Sequence, residues 1–295
     1  MNNSIFNDIK LQVLQGRNTI VHLIAINVGL FLVMAIPLGI LSVLSPHAMR
    51  NTYAWITDWL FIPADPMVFF TRPWTLITHF FLHSFSIGHI LWNMLIFFWF
   101  GRIYHNLLGN QRSLQLYLLA GMAGGLAYLI SAQVLPTISG SGQLVGASGA
   151  IMGFVVAATT LSPTFTIRLL FFGDIKLWMI AAFMIVSDLV FLAENTGGRV
   201  AHLAGGFMGY LFVTQLRQGR DLGRWITQLL GTLKGVANFE KKTRFQVHRG
   251  KSSHSATQPV GQEQIDAILD KILRTGYDSL SQREKDILFR SGNSE

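Results

Sequence analysis

Ser148 stands in an uncharged run of small residues, Gly146-Ala147-Ser148-Gly149, and no charged residue follows before Arg168. A serine hydroxyl is a poor nucleophile until a base takes its proton. His202, within Ala201-His202-Leu203-Ala204-Gly205-Gly206, is the histidine placed to be that base. Attack on a carbonyl leaves an oxyanion, which needs hydrogen-bond donors. Ser148 stands at the start of an expected helix, where backbone N–H groups lack partners and the dipole favours negative charge. His89 and Asn93 are four residues apart and share a helix face, so they can add donors to the same oxygen. Taken singly, each feature has a plainer reading. A serine among small residues lets helices pack closely, and an intramembrane histidine usually finds a polar partner on a neighbouring helix. The chemical reading requires the three stretches to meet at one place.

The elements that carry them are apolar helices. The 295 residues are 51% hydrophobic and 13% charged, against about 25% charged in an ordinary globular domain. Apolar runs of spanning length succeed one another between Thr19 and Leu216. Six spans are expected, at about 19–44, 87–104, 114–135, 146–161, 175–192 and 199–216. Gly121, Gly124 and Gly125 give the third a close-packing face. Residues 47–84 are dense in aromatics, but Pro63, Pro66 and Pro73 interrupt them. Segments lying in the membrane interface fit that pattern. Residues 164–173 read as a re-entrant or interfacial hairpin.

Basic residues set the orientation. Lys10, Arg17, Arg102, Arg112, Arg168, Lys176, Arg217, Arg220 and Arg224 fall on one side of a six-span layout. Arg50, Arg72 and Arg199 fall on the other, offset by Asp58, Asp65 and Glu194. Both termini are therefore expected in the cytoplasm. Ser148, His202, His89 and Asn93 then lie within about one or two turns of the outer face, at about 1.5 Å per residue.

Composition removes other classes. The chain has no cysteine, so thiolate nucleophiles and thiolate metal sites are excluded. The net charge of +8 gathers after the last span, where it matches membrane lipid and not nucleic acid. His79, His83 and His89 lack an intramembrane carboxylate beside them, so no metal and no cofactor is expected. His79 and His83 are expected to order the first loop by hydrogen bonding. Four regions follow: an interfacial segment (1–18), a six-span domain (19–216), a basic juxtamembrane linker (217–261) and a two-helix cytoplasmic module (262–292). In the last, Ile265, Ile268, Leu269, Ile272 and Leu273 recur at helical spacing, Gly276 ends the run, and Ser281-Gln282-Arg283-Glu284 forms a capping box.

The motifs Gly146-Ala147-Ser148-Gly149, Gly197-x-x-x-Ala201-His202-x-x-Gly205 and His89-x-x-x-Asn93, in this order on six spans, resemble the rhomboid family of intramembrane serine proteases. The resemblance covers about 74–216 strongly and the first span weakly. It implies that Ser148 is the nucleophile and His202 its base. His89, Asn93 and the Ser148 N–H form the oxyanion hole, with Gly146 preceding it. It also implies a lateral gate at the fifth span and water entry from outside. The sequence departs from some members at two places. Thr75 follows Trp74 where they carry arginine. Met152 stands where they place an aromatic under the histidine, and fills the same space with weaker stacking.

Asp188 is the one acid inside a span. An intramembrane ionisable group is functional by default. A gate or water-cavity contact and a third member orienting His202 both remain open, and the resemblance implies a dyad.

The expected fold is all-α, a polytopic bundle of six transmembrane helices with a small helical tail. The expected function is an endopeptidase that cuts a single-pass transmembrane substrate near the outer leaflet, in a bacterial inner membrane. The alternatives are an inactive rhomboid-like protein that binds membrane clients and a transporter. No feature fixes an oligomeric state.

Overall fold

Helix α1, Thr19–Leu44, is apolar almost throughout, and the Asn18 side chain caps it by accepting from the Ile20 and Val21 amides. Ser45 separates it from α2, Pro46–Leu60: its hydroxyl accepts from Ala48 N–H, and Pro46 at the first position has no N–H to leave unpaired. The computed structural model describes residues 18–135, 142–169, 173–237, 262–275 and 277–291. The expected interfacial segment 1–18 lies almost entirely outside them.

The first loop is more ordered than its three prolines suggest. Each proline starts or flanks an element: β1 (Ile62–Pro63), α3 (Pro66–Thr71) and α4 (Thr75–Thr78). Trp59 and Trp74 stack at 5.8 Å between centroids, Trp74 Nε1 donates to Trp59 O at 2.8 Å, and the Arg72 guanidinium lies over Trp59 at 4.6 Å.

The second and third spans form a single assigned helix, α5, Ile87–Val134, broken at Gly109 (φ 78°, ψ −177°). The turn between spans is thus shorter than expected. Glycine reaches this positive φ without a Cβ clash, and Ser113 Oγ donates back to Gly109 O at 2.8 Å. Arms 87–108 and 110–134 each exceed about 30 Å at 1.5 Å per residue, enough to cross a bilayer. Strand β2 (Gln143–Leu144) precedes α6, Ser148–Leu161. Strands β3 (Thr166–Leu169) and β4 (Gly173–Lys176) make the antiparallel hairpin expected at 164–173. Helix α7 is Leu177–Val190 and α8 is Thr196–Arg217. Helix α7 starts two residues later than read, because Ile175 and Lys176 pair in β4. Among the described residues α1 and α5 are long and apolar enough to span a membrane, and α6 and α7 are shorter apolar helices.

Helix α6 is the centre, packed by α5 and α8. Gly149 to Val155, Ala157 and Ala158 are buried. Around it Phe97, Tyr104, Tyr117 and Phe154 form an aromatic cluster with centroids 5.0–5.4 Å apart. Asn27, a polar residue within α1, is buried and satisfied: its amide donates to Leu23 O and to Tyr117 Oη, and Tyr117 donates on to Phe80 O. By contrast α1 and α7 expose Val33, Ile36, Val43, Phe183 and Val190. Such helices, apolar on their outer face as well as inside, suit lipid and not water.

A further helix, α9 (Arg224–Ala237), occupies part of what reads from sequence as a basic linker at 217–261. Trp225, Ile226, Leu229 and Leu230 recur at helical spacing, and Ile226 is buried.

The tail forms its own unit, Lys241–Glu295. Its helices α10 (Gln262–Thr275) and α11 (Gln282–Ser291) flank a 3₁₀ turn, Tyr277–Ser279. Gly276 lies outside the described residues. One half of the expected capping box forms: Glu284 accepts from the Ser281 N–H, and from its hydroxyl, each at 2.7 Å. Lys271 Nζ also reaches Glu284 at 2.9 Å. Lys271 and the two Ser281 donors bring the Glu284 carboxyl down to about 2. A lowered carboxylate contributes stability above its ordinary range and loses it as pH falls through the lowered value. Lys271→Ala is therefore expected to move the Glu284 carboxyl titration upward, read by side-chain carboxyl NMR.

Candidate active site

The approach to Ser148 hangs on the first loop. Ile62 pairs with Leu144 and Pro63 with Gln143. Gln143 Nε2 donates to Asp58 at 3.1 Å, Ala64 N–H to Gly142 O at 3.1 Å, and Gly146 N–H to His79 O at 2.9 Å. Gly146 has φ +128°, which a side chain rarely adopts. This is why α6 starts at Ser148 and not at Gly146 as expected. The chain swings through Gly146 and drops Ser148 onto the first position of the helix, which has no side-chain cap. The early N–H groups of α6 are thereby left for another acceptor.

A cavity of about 590 Å³ opens there, lined by Ser84, His89, Asn93, Ser148, His202 and residues 193–198, where the turn after α7 enters α8. The structure therefore brings all four expected site residues to one place. A Cβ on Gly146 would stand 3.6 Å from both His89 Nε2 and Ser148 Oγ. His89 Nδ1 meets Ser84 Oγ at 3.0 Å. Asn93 is 8% exposed, and its Nδ2 has no hydrogen-bond partner among the described residues. Ser148 and His202 both line the cavity, but no hydrogen bond joins them among the described residues, and the polar partner of His202 lies at Nδ1.

That partner is Asp188. His202 Nδ1 lies 3.1 Å from each Asp188 oxygen, and Arg199 Nη1 lies 2.9 Å from Oδ1. Asp188 thus contacts His202 directly. Met152 is buried, with its Cγ 3.6 Å from a Cβ placed on Gly206, one turn beyond His202.

Glycine brings α6 and α8 into backbone contact. A Cβ on Gly205 would overlap Gly149 O, and one on Gly209 would overlap Gly153 O. A Cβ on Gly149 would stand 3.2 Å from Ala201 O.

A family model described as "Rhomboid domain" matches residues 71–219, which is half of the chain. The chain belongs to the rhomboid family. The helical bundle is accordingly membrane-embedded, and its exposed apolar faces on α1 and α7 are lipid-facing. A curated protein named "RHOMBOID-like protein 12, mitochondrial", from Arabidopsis thaliana, is 29% identical to this rhomboid over 224 residues, covering 71% of this chain and 62% of that protein. This rhomboid thus spans less than two thirds of that relative's length. A second family model, a "Family of unknown function (DUF6576)", matches residues 256–291 in the tail.

Three contacts of this rhomboid's site escape a reading by sequence. Ser84 and Arg199 carried no motif, and Gln143-Leu144 read as part of an uncharged loop. A signal existed for Arg199 alone, since it lies three residues before His202 and so shares its helix face. His79 meets expectation, with Nδ1 at 2.9 Å from Thr75 O. His83 does not: its ring nitrogens are buried without a hydrogen-bond partner among the described residues, and its ring meets His89 edge-on at 5.9 Å. Burial pushes both His79 and His83 down to about 4. A histidine held neutral in the fold must take up a proton on unfolding in acid, so stability is full above 6.5 and falls as pH drops toward about 4. The midpoint of thermal unfolding in detergent is expected to fall across that window, and less so in His79→Gln.

Proposed function

We propose that this rhomboid is an intramembrane serine endopeptidase acting on single-pass transmembrane proteins. The observation that carries the reading is the set of unsatisfied donors around Ser148. Among the described residues Asn93 Nδ2 lacks a partner and α6 has no side-chain cap at its N-terminus. An oxyanion is the acceptor that such a set awaits. His89 completes it: a Ser84 hydroxyl donating to Nδ1 leaves the proton on Nε2, which borders the same Gly146 position as Ser148 Oγ.

In the reaction, His202 Nε2 takes the Ser148 proton as Oγ adds to the scissile carbonyl. The negative oxygen receives hydrogen bonds from the Ser148 N–H, His89 and Asn93. His202 then gives its proton to the leaving amine, and the C–N bond breaks. Water in the cavity loses a proton to His202, adds to the ester, and releases the acid as Oγ regains its proton. The missing Ser148–His202 hydrogen bond forms as substrate fills the site; catalytic hydrogen bonds commonly tighten only in the complex. No cofactor takes part.

The fourteen residues of α6 cover about 21 Å of a hydrocarbon core about 30 Å thick. Ser148 therefore lies below the outer surface when the other end of α6 sits at the cytoplasmic face. Helix carbonyls are hydrogen-bonded and shielded, so a substrate helix must unwind locally first. Small and helix-breaking residues near its outer end favour this. The distribution of basic residues favours cytoplasmic termini, and the reading takes the membrane to be a bacterial inner membrane. A reporter with such an outer end, reconstituted with this rhomboid in liposomes, is expected to be cut there, as mapped by mass spectrometry of the products. Failure to cut any of several such reporters, with the protein folded, contradicts the reading.

A further inference from the structure

A carboxylate inside a lipid-embedded helix needs a reason. Asp188 lies on α7 and is 5% exposed. Burying a charge without a partner is costly. Here the partner is Arg199 at 2.9 Å, which also donates to Ser187 O at 3.4 Å and lies over Phe191 at 5.5 Å. Glu194 adds a more distant contact to Arg199 at 3.7 Å. The Arg199 side chain is thus held by α7 and the α7–α8 turn. It fixes the carboxylate in turn, and the carboxylate meets His202 Nδ1 with both oxygens at 3.1 Å.

We infer that Asp188, braced by Arg199, is a positioning residue for His202. An ionised carboxylate can only accept a hydrogen bond, so it selects the imidazole tautomer with the proton on Nδ1. Nε2 is then unprotonated and turned toward the cavity that holds Ser148. When Nε2 takes the serine proton, the carboxylate faces the imidazolium without itself taking a proton. Arg199 lies three residues before His202 on α8 and Asp188 on α7, so the same contact couples the α7 position to the base. This rests on the proteolytic reading of Ser148 and His202, and the tautomer it assigns can be measured without proteolysis.

The plainer reading is a helix-to-helix ion pair that merely holds α7 in place. The two differ in what they do to the ring. Full-length protein labelled with ¹⁵N-histidine, in detergent at neutral pH, gives ring nitrogen shifts that report the tautomer, with His202 assigned by its loss in His202→Ala. Wild type is expected to show protonated Nδ1, and Asp188→Asn to shift toward protonated Nε2. In parallel, Asp188→Asn is expected to lower kcat for a transmembrane reporter by about tenfold or more with KM within about twofold. A wild-type His202 with its proton mainly on Nε2 overturns the inference, with no variant needed. So does an Asp188→Asn protein that is less heat-stable but keeps the wild-type tautomer and kcat. If wild type cuts no reporter while His202 still carries its proton on Nδ1 and loses it in Asp188→Asn, the proteolytic reading fails and the positioning inference stands.

Discussion

Ser148→Ala and His202→Ala are each expected to reduce cleavage of a transmembrane reporter by at least about 10³-fold, and the double variant by no more than the worse single. The reason is the division of labour at the cavity. Removing Oγ removes the nucleophile, and removing the imidazole leaves a hydroxyl that cannot lose its proton at neutral pH. Either change disables the same step, so the losses do not add. The folded protein should survive both. The Ser148 hydroxyl makes no hydrogen bond among the described residues, and alanine fills nearly the same space. His202→Ala leaves the Asp188–Arg199 ion pair intact at 2.9 Å. Unfolding temperatures near wild type, with cleavage lost, are the expected pair of results. Additive losses in the double variant would mean that the two residues act at separate steps.

Gly205→Val and Gly209→Val are expected to destabilise the bundle by at least about 3 kcal/mol each, and to abolish cleavage with it. A Cβ at either position overlaps a backbone carbonyl of α6, Gly149 O or Gly153 O. A carbonyl in a buried helix cannot swing aside as a flexible side chain can, so α8 must move away from α6. That motion is the one the site tolerates least. Gly149 follows Ser148 directly and Gly205 lies three residues after His202, so the closest approach of the two helices also sets the spacing of nucleophile and base. Gly29→Ala and Gly39→Ala on α1, where an added Cβ meets nothing within 4 Å, are the matched controls and should change neither unfolding temperature nor cleavage. Valine at Gly205 with full stability and activity would mean that α6 and α8 do not pack backbone to backbone.

Much of this arrangement is legible in the sequence because the membrane simplifies the problem. A bilayer fixes helix length and direction, and the basic residues fix which ends share a side. Ser148, His202, His89 and Asn93 then fall at one depth before any contact is known. The glycines around Ser148 and His202 announce a close helix pair for the same reason. Contacts that depend on a turn were not legible. Whether Asp188 faces His202 is set by how Phe191 to Asn195 folds, where Asn195 Oδ1 caps α8 by accepting from Gly198 N–H at 3.2 Å. Sequence spacing leaves the rotation of α7 free, so a gate or cavity contact is the expected setting for Asp188 and an orienting contact the alternative. The β1–β2 pair was hidden because two-residue strands carry no periodicity. Helix α9 follows Arg217 and Arg220 and starts at Arg224, so it reads as basic linker although Trp225, Ile226, Leu229 and Leu230 recur at helical spacing. The break at Gly109 is a single residue in an otherwise continuous helical pattern, so two spans read with a longer turn than they have.

The central claim is that Ser148 is a nucleophile activated by His202, and covalent labelling tests it most directly. A fluorophosphonate probe added to the folded, full-length protein in detergent should modify Ser148, with the adduct located by peptide mass spectrometry. Labelling should be lost in Ser148→Ala and strongly slowed in His202→Ala. Equal labelling of wild type and Ser148→Ala, or no labelling of folded wild type by any of several such probes, would contradict it and leave a rhomboid that binds membrane clients without cutting them.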